Sequence, residues 1–199
     1  MGSASRWAHD TFGDLADELV DVVPACLTRA HDRARHGQEG VHTQTLEAYG
    51  HGLYAVQYEE LSTGLASYGA PVRLKGRTLV IVRDHLIYPI RYAKRDVPVT
   101  AARLRRVTGL RADLIRRHGP EPMQQELDLG FDDPDEPEER PDLSVIPEDV
   151  SLVLVAYACS MEHGLVRAEW GSAELRREDR YLIWHHHEPL LVPAQGAGA

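Results

Sequence analysis

Apolar residues between Trp7 and Arg35 recur at three- and four-residue intervals (Trp7, Phe12, Leu15, Leu19, Val23, Cys26, Leu27, Ala30). That spacing predicts one buried stripe on an amphipathic helix. Pro24 lacks a backbone N–H and is expected to kink or divide this helix near Asp21–Val23, and the glycines of His36–Gly40 are expected to end it. A second helix is predicted from Thr43 or Thr45 to Tyr68, stopping at Gly69, with Leu46, Leu53, Leu61 and Leu65 inward. The pattern then changes. Val72–Lys94 reads as two apolar strands, Arg77–Val82 and Leu86–Tyr92, folded about Arg83-Asp84-His85. The first is apolar on both faces, as a strand inside a sheet is. The second contains Pro89, which cannot donate to a ladder and so predicts an edge or bulged strand. As an exposed edge, Leu86–Tyr92 would offer a contact to another subunit.

From Val99 or Thr100 a third helix is expected, with Leu104, Val107, Leu110 and Leu114 inward, arginines outward, and His118-Gly119-Pro120 as its stop. Residues 121–148 are rich in proline and acid and poor in core formers, which predicts a flexible insert. Three further strands follow, Val150–Ser160, Leu165–Leu175 and Tyr181–Glu188, and the tail 195–199 is expected to be disordered. The pattern amounts to a single α+β domain over 1–199. It has two N-terminal helices, a mixed or antiparallel sheet of about five strands, and one basic helix between two β blocks.

Charge adds more than composition does. The net charge of −9 is unevenly spread: −6 over Met1–Val72, +10 over Arg73–Arg117, −11 over Glu121–Asp149 and −2 over the remainder. Such segregation points to polyanion binding or to internal neutralisation. The basic block supplies Arg73, Lys75, Arg77, Arg91, Lys94, Arg95, Arg103 and Arg106 as candidate contacts to nucleic acid or an acidic protein, interleaved with Tyr88 and Tyr92 for stacking. The acidic insert beside it is a candidate mimic that would regulate such binding. The chain has only two cysteines, Cys26 and Cys159, which excludes a disulfide framework or a cysteine-rich zinc site. Acidic residues interrupt Trp7–Val23, so it does not read as a secretory signal, and no run is apolar enough to span a membrane. A cytoplasmic protein is expected, and the preference for arginine over lysine suits a high-GC bacterial source.

Candidate chemistry sits in three places. Trp184-His185-His186-His187-Glu188 alternates so that His185 and His187 share a face. With the preceding turn centred near Glu178, Leu175 would face Tyr181 and Glu169 would face His187. Glu169, His185 and His187 would then offer two imidazoles and a carboxylate to a divalent metal, with a position left for water. On the second helix, Glu47, His51, Tyr54 and Tyr58 fall at four, three and four residues, a stripe in which Glu47 would orient His51 for proton transfer. At the central turn, Asp84 and His85 are candidate catalytic groups. The order Glu59 or Glu60, then Asp84, then Lys94 resembles the layout of restriction-type nucleases, although no acid-x-Lys pair follows Asp84. That layout implies divalent metal and phosphodiester hydrolysis. No G-x-S-x-G, G-x-x-x-x-G-K or G-x-G-x-x-G occurs, which argues against a nucleophile elbow, a P-loop or a Rossmann site. Two functions therefore stand side by side: a non-catalytic binding or regulatory protein, and a metal-dependent hydrolase.

Overall fold

A computed structural model of the chain describes residues 3–122 and 142–192. Most of the acidic insert and the whole 195–199 tail lie outside the described residues. Six strands form one sheet in sequence order: β1 (Ala70–Leu74), β2 (Arg77–Val82), β3 (His85–Ala93), β4 (Ser151–Ser160), β5 (Gly164–Leu175) and β6 (Leu182–Leu190). All neighbours are antiparallel except β3 and β4, which run parallel with His85 opposite Ser151 and Arg91 opposite Tyr157. Two three-strand meanders thus meet at a parallel seam. The fold is α+β with a mixed sheet. Its sixth strand is β1, whose exposed, polar-interrupted pattern does not stand out in the sequence.

The helices α1 (Arg6–Phe12), α2 (Ala16–Val41) and α3 (Glu47–Gly64) cover one face, and α4 (Leu110–His118) packs on the other. On the first face Phe12, Leu19 and Leu27 meet Val82, Val155 and Trp170. On the second, Ala112, Leu114 and Ile115 meet Leu86, Tyr88 and Leu154. Strands β3 and β4 are buried on both sides, so they read as nearly unbroken apolar runs. Among the described residues no helix is long and apolar enough to cross a membrane.

Three local expectations are revised. The N-terminal helix breaks at Gly13, with φ 62°, not at Pro24, and α2 continues through Pro24, Gly37 and Gly40 to a left-handed cap at His42. Pro24 sits in the buried stripe, so tertiary burial offsets the helix bond that its missing N–H cannot give. Strand β3 is interior and is not the exposed edge. Pro89 is tolerated because the β2–β3 ladder ends at Ile87, leaving no strand on that side to require its N–H. The expected third helix is shorter. Val99–Ala101 is a 3-10 turn, Ala102–Leu104 runs extended against residues 180–182, and α4 begins only after Gly109, at φ 86°.

Helices α2 and α3 cross closely where Gly64 faces Cys26, and a Cβ on Gly64 would fall inside contact distance of the Cys26 sulfur. Overpacking of this kind costs about 1–3 kcal/mol, more than the helix propensity gained in replacing glycine by alanine. Gly64→Ala should therefore lower the thermal midpoint. Adding Cys26→Ala should recover part of that loss, a positive coupling in a double-mutant cycle read by thermal melts.

Candidate anion-binding cleft

The basic block does not form one surface. A concave cavity of about 570 Å³ gathers part of it, lined by Tyr54, Lys75, Arg77, Leu104, Arg105, Arg106, Thr108, Gly109, Leu110 and Arg111. Three elements build it. The β1–β2 turn brings Lys75 and Arg77. The extended segment before α4 brings Arg105 and Arg106, anchored where Arg180 Nη1 donates to the Arg105 carbonyl at 2.9 Å. The first turn of α4 brings Arg111. No acidic side chain is found among the described residues that line it.

Aromatic rings hold the inner cations in place. The Arg77 guanidinium lies 4.6 Å from the Tyr54 ring centre and 5.3 Å from that of Tyr58, and Arg111 lies 5.7 Å from Tyr54. Tyr54 and Tyr58 meet edge to face at 5.8 Å, and the buried Tyr58 hydroxyl donates to Tyr88 at 3.3 Å. Burial keeps the Tyr58 phenol well above its ordinary pKa, so it stays neutral beside the two cations. Gly109 caps α4 without a side chain, and with Leu110 it lines one wall of the same cavity.

Of the eight basic residues singled out by the charge pattern, Lys75, Arg77 and Arg106 reach this cleft. Arg73, Lys94, Arg95 and Arg103 are exposed elsewhere. Arg91 points inward. Its Nε donates to the Cys159 carbonyl at 2.9 Å, where shifts of register on both sides of β4 leave that carbonyl off the ladder. Arg105 and Arg111, which the charge pattern includes among the outward arginines of the expected third helix, also belong to the cleft. The alternation Ala102, Arg103, Leu104, Arg105 is the signal that marks this segment as extended.

The other candidate groups are placed apart. Asp84 is exposed at the β2–β3 turn. His85 is partly buried against Phe12, with ring centres 5.6 Å apart and its Nδ1 without a hydrogen-bond partner. Glu59 and Glu60 lie on α3 and pair with arginines of α2: Arg33 reaches both, and Arg29 Nε meets Glu60 at 2.8 Å. Burial opposes the Glu60 charge, but these guanidinium bonds win and hold its carboxyl below the ordinary value. Carboxylates so neutralised are poor company for Asp84 around a metal. Glu47 and His51 are both exposed, and no ion pair joins them. The stripe they begin ends in the buried Tyr58.

The histidine strand departs from the expected register by one residue next to the turn and by two at Glu169. Leu175 pairs with Leu182, Glu169 with Pro189 and Gly171 with His187, and a bulge at Ser172/Ala173 leaves His185 outside the ladder. Glu169, only 4% exposed, accepts from His187 Nδ1 at 2.8 Å and from Arg167 Nη1 at 3.1 Å. His185 lies instead 3.4 Å from Glu174. The trio of Glu169, His185 and His187 is therefore divided between two carboxylates. Among the described residues no group of three or more histidine, cysteine, aspartate or glutamate side chains is placed to hold a metal ion. His186 stacks on Trp7 at 4.5 Å, while Glu188 accepts from Trp170 Nε1 at 2.7 Å and from Ser5, docking α1 on β6.

One further polar cluster is buried between α2, α3 and β4. His31 Nδ1 lies 3.0 Å from the Tyr49 hydroxyl, which lies 3.2 Å from Cys159 Sγ, and Tyr157 donates to Gln57 at 2.8 Å. Burial raises the pKa of Tyr49 and of Cys159 and lowers that of His31, so all three are held neutral. Such groups satisfy one another and act as core. Comparison of the chain with known protein families, curated proteins and solved structures finds no match in any of the three.

Burial likewise lowers the pKa of His85. Both histidines keep the ordinary value near 6.5 when unfolded, so below that pH the unfolded chain takes up more protons than the native one. Their contribution is present above this pH and is lost as pH falls toward the depressed native values. The thermal midpoint should therefore drop between about pH 7 and pH 5. The His31→Gln, His85→Gln protein should show a shallower drop in parallel melts, and an equal slope would refute the assignment.

Proposed function

We propose that this protein is a non-catalytic binding protein that takes phosphate groups of a polyanion, nucleic acid foremost, into the cleft between the β1–β2 turn and the start of α4. The observation that supports this reading is the convergence of Lys75, Arg77, Arg105, Arg106 and Arg111 on one concavity beside the start of α4 at Gly109 and Leu110. Guanidinium groups match the geometry of phosphate oxygens by paired N–H donation. Helix-terminal N–H groups favour the same charge. Two of the five, Arg77 and Arg111, are held against aromatic rings, so less side-chain entropy is lost when a ligand binds.

The histidine strand gives weaker support to hydrolysis. Both oxygens of Glu169 are engaged, one by His187 and one by Arg167, which leaves this carboxylate as an orienting group.

Fluorescence anisotropy with a labelled single-stranded oligonucleotide tests the proposal. Affinity should fall steeply between about 50 and 200 mM salt, since each single-strand phosphate contact adds about −0.7 to the slope of log K on log salt. The exposed pair Arg105→Glu with Arg106→Glu should weaken binding at least tenfold and flatten that slope, while thermal melts stay unchanged. Binding that is absent, insensitive to salt, or equal in this variant would overturn the proposal.

A further inference from the structure

We infer that Tyr54 governs the affinity of this cleft as a positioning residue: its ring is the common seat of Arg77 and Arg111, and it holds the two guanidiniums ready as a pair for one anionic ligand. This rests on the anion-binding reading above and names the residue that controls it.

Burial does not explain a tyrosine at this position. Tyr54 is 36% exposed on α3, whose buried side chains are Tyr49, Leu53, Gln57, Tyr58 and Leu61, and it belongs to neither hydrophobic core. No hydrogen bond among the described residues engages its hydroxyl. What its ring does touch is specific. Arg77 of β2 lies 4.6 Å from the ring centre, Arg111 of α4 lies 5.7 Å from it, and Tyr58 meets it edge to face. Both cations are inside the distance of about 6 Å at which a ring attracts a guanidinium. Three elements far apart in sequence thus meet on one side chain.

The way these two arginines are held differs from the way others in the molecule are held. Arg29 and Arg33 are pinned by Glu59 and Glu60, which neutralise their charge and take up the N–H groups that a phosphate would need. A ring pins a guanidinium and leaves its charge and its in-plane N–H fork in place. Neither Arg77 nor Arg111 is ion-paired with a carboxylate among the described residues. Arg77 is shared between the rings of Tyr54 and Tyr58, and Arg111 also hydrogen-bonds to the buried Tyr88, which accepts from Tyr58. Ordering one rotamer-rich side chain on binding lowers affinity by a factor of about two to twelve. Tyr54 removes part of that loss for two arginines at once, without adding a charge of its own.

Fluorescence anisotropy with the labelled single strand at low salt tests the inference. Tyr54→Leu should weaken binding about fivefold or more, with the slope of log K on log salt unchanged, because no charge is removed. Tyr54→Phe, which keeps the ring, should restore most of that loss. In an Arg77→Gln, Arg111→Gln background, adding Tyr54→Leu should change affinity less than about twofold, since the ring then has no cation to hold. Tyr54→Gln serves as a second variant, with melts confirming that each protein is folded. Wild-type affinity in Tyr54→Leu, or an equal loss with and without the two arginines, overturns the inference while leaving the cleft as an anion site. A Tyr54→Phe protein as weak as Tyr54→Leu overturns it too, by assigning the contact to the hydroxyl. If the wild-type protein does not bind the strand, or its binding responds to neither salt nor the Arg105→Glu, Arg106→Glu change, the reading above falls and this inference with it.

Discussion

The parallel pairing of β3 with β4 is the constraint on which the rest of the structure depends. Each three-strand meander can be made from tight turns, but joining two of them in parallel requires the chain to leave one end of the sheet and return to the other. That crossover is the segment carrying Val99–Ala101 and α4, and it must pass over a face of the sheet that the N-terminal helices do not cover. Two buried faces follow directly, and so do the long apolar runs of the two central strands. The crossover also carries seven of the eleven arginines of the basic block. The position of the cleft is thus a by-product of topology: the chain returns past the β1–β2 turn with Arg105, Arg106 and Arg111 aboard.

Much of this fold is legible in the sequence because the elements that matter most have strong periods. Arg77–Val82 is read to the residue, and the strands of the second meander are found nearly in full. The failures have specific causes. Pro24 looks like a break because its local cost is visible, whereas the burial that offsets it is tertiary. Pro89 looks like an edge because the sequence does not show that the neighbouring ladder is only three pairs long. The stretch from Ala102 to Arg105 has strand-like alternation, but it sits among arginines and leucines that also satisfy a helical period.

The candidate sites show the same division. The charge pattern locates the basic block and three of the residues that line the cleft. It does not separate them from Arg91, which a local shift in the ladder turns inward to satisfy a carbonyl. The register of the histidine strand is misread because three successive imidazoles carry no apolar alternation to pin it. The bulge at Ser172/Ala173, invisible in sequence, then decides which histidine meets Glu169. Neutralisation is also invisible: Glu59 and Glu60 resemble free carboxylates until α2 is seen to lay Arg29 and Arg33 against them.

The seam between the meanders has a further consequence, for the order in which the molecule assembles. Within each half the paired residues lie close in sequence, so each hairpin loses little chain entropy in closing. The residues joined across the seam, such as His85 and Ser151, lie about 66 positions apart. The last and slowest event should be the docking of two preformed halves along β3 and β4. The cleft, assembled from the first half and the connecting crossover, can then take shape only when that docking has drawn the crossover down onto the sheet.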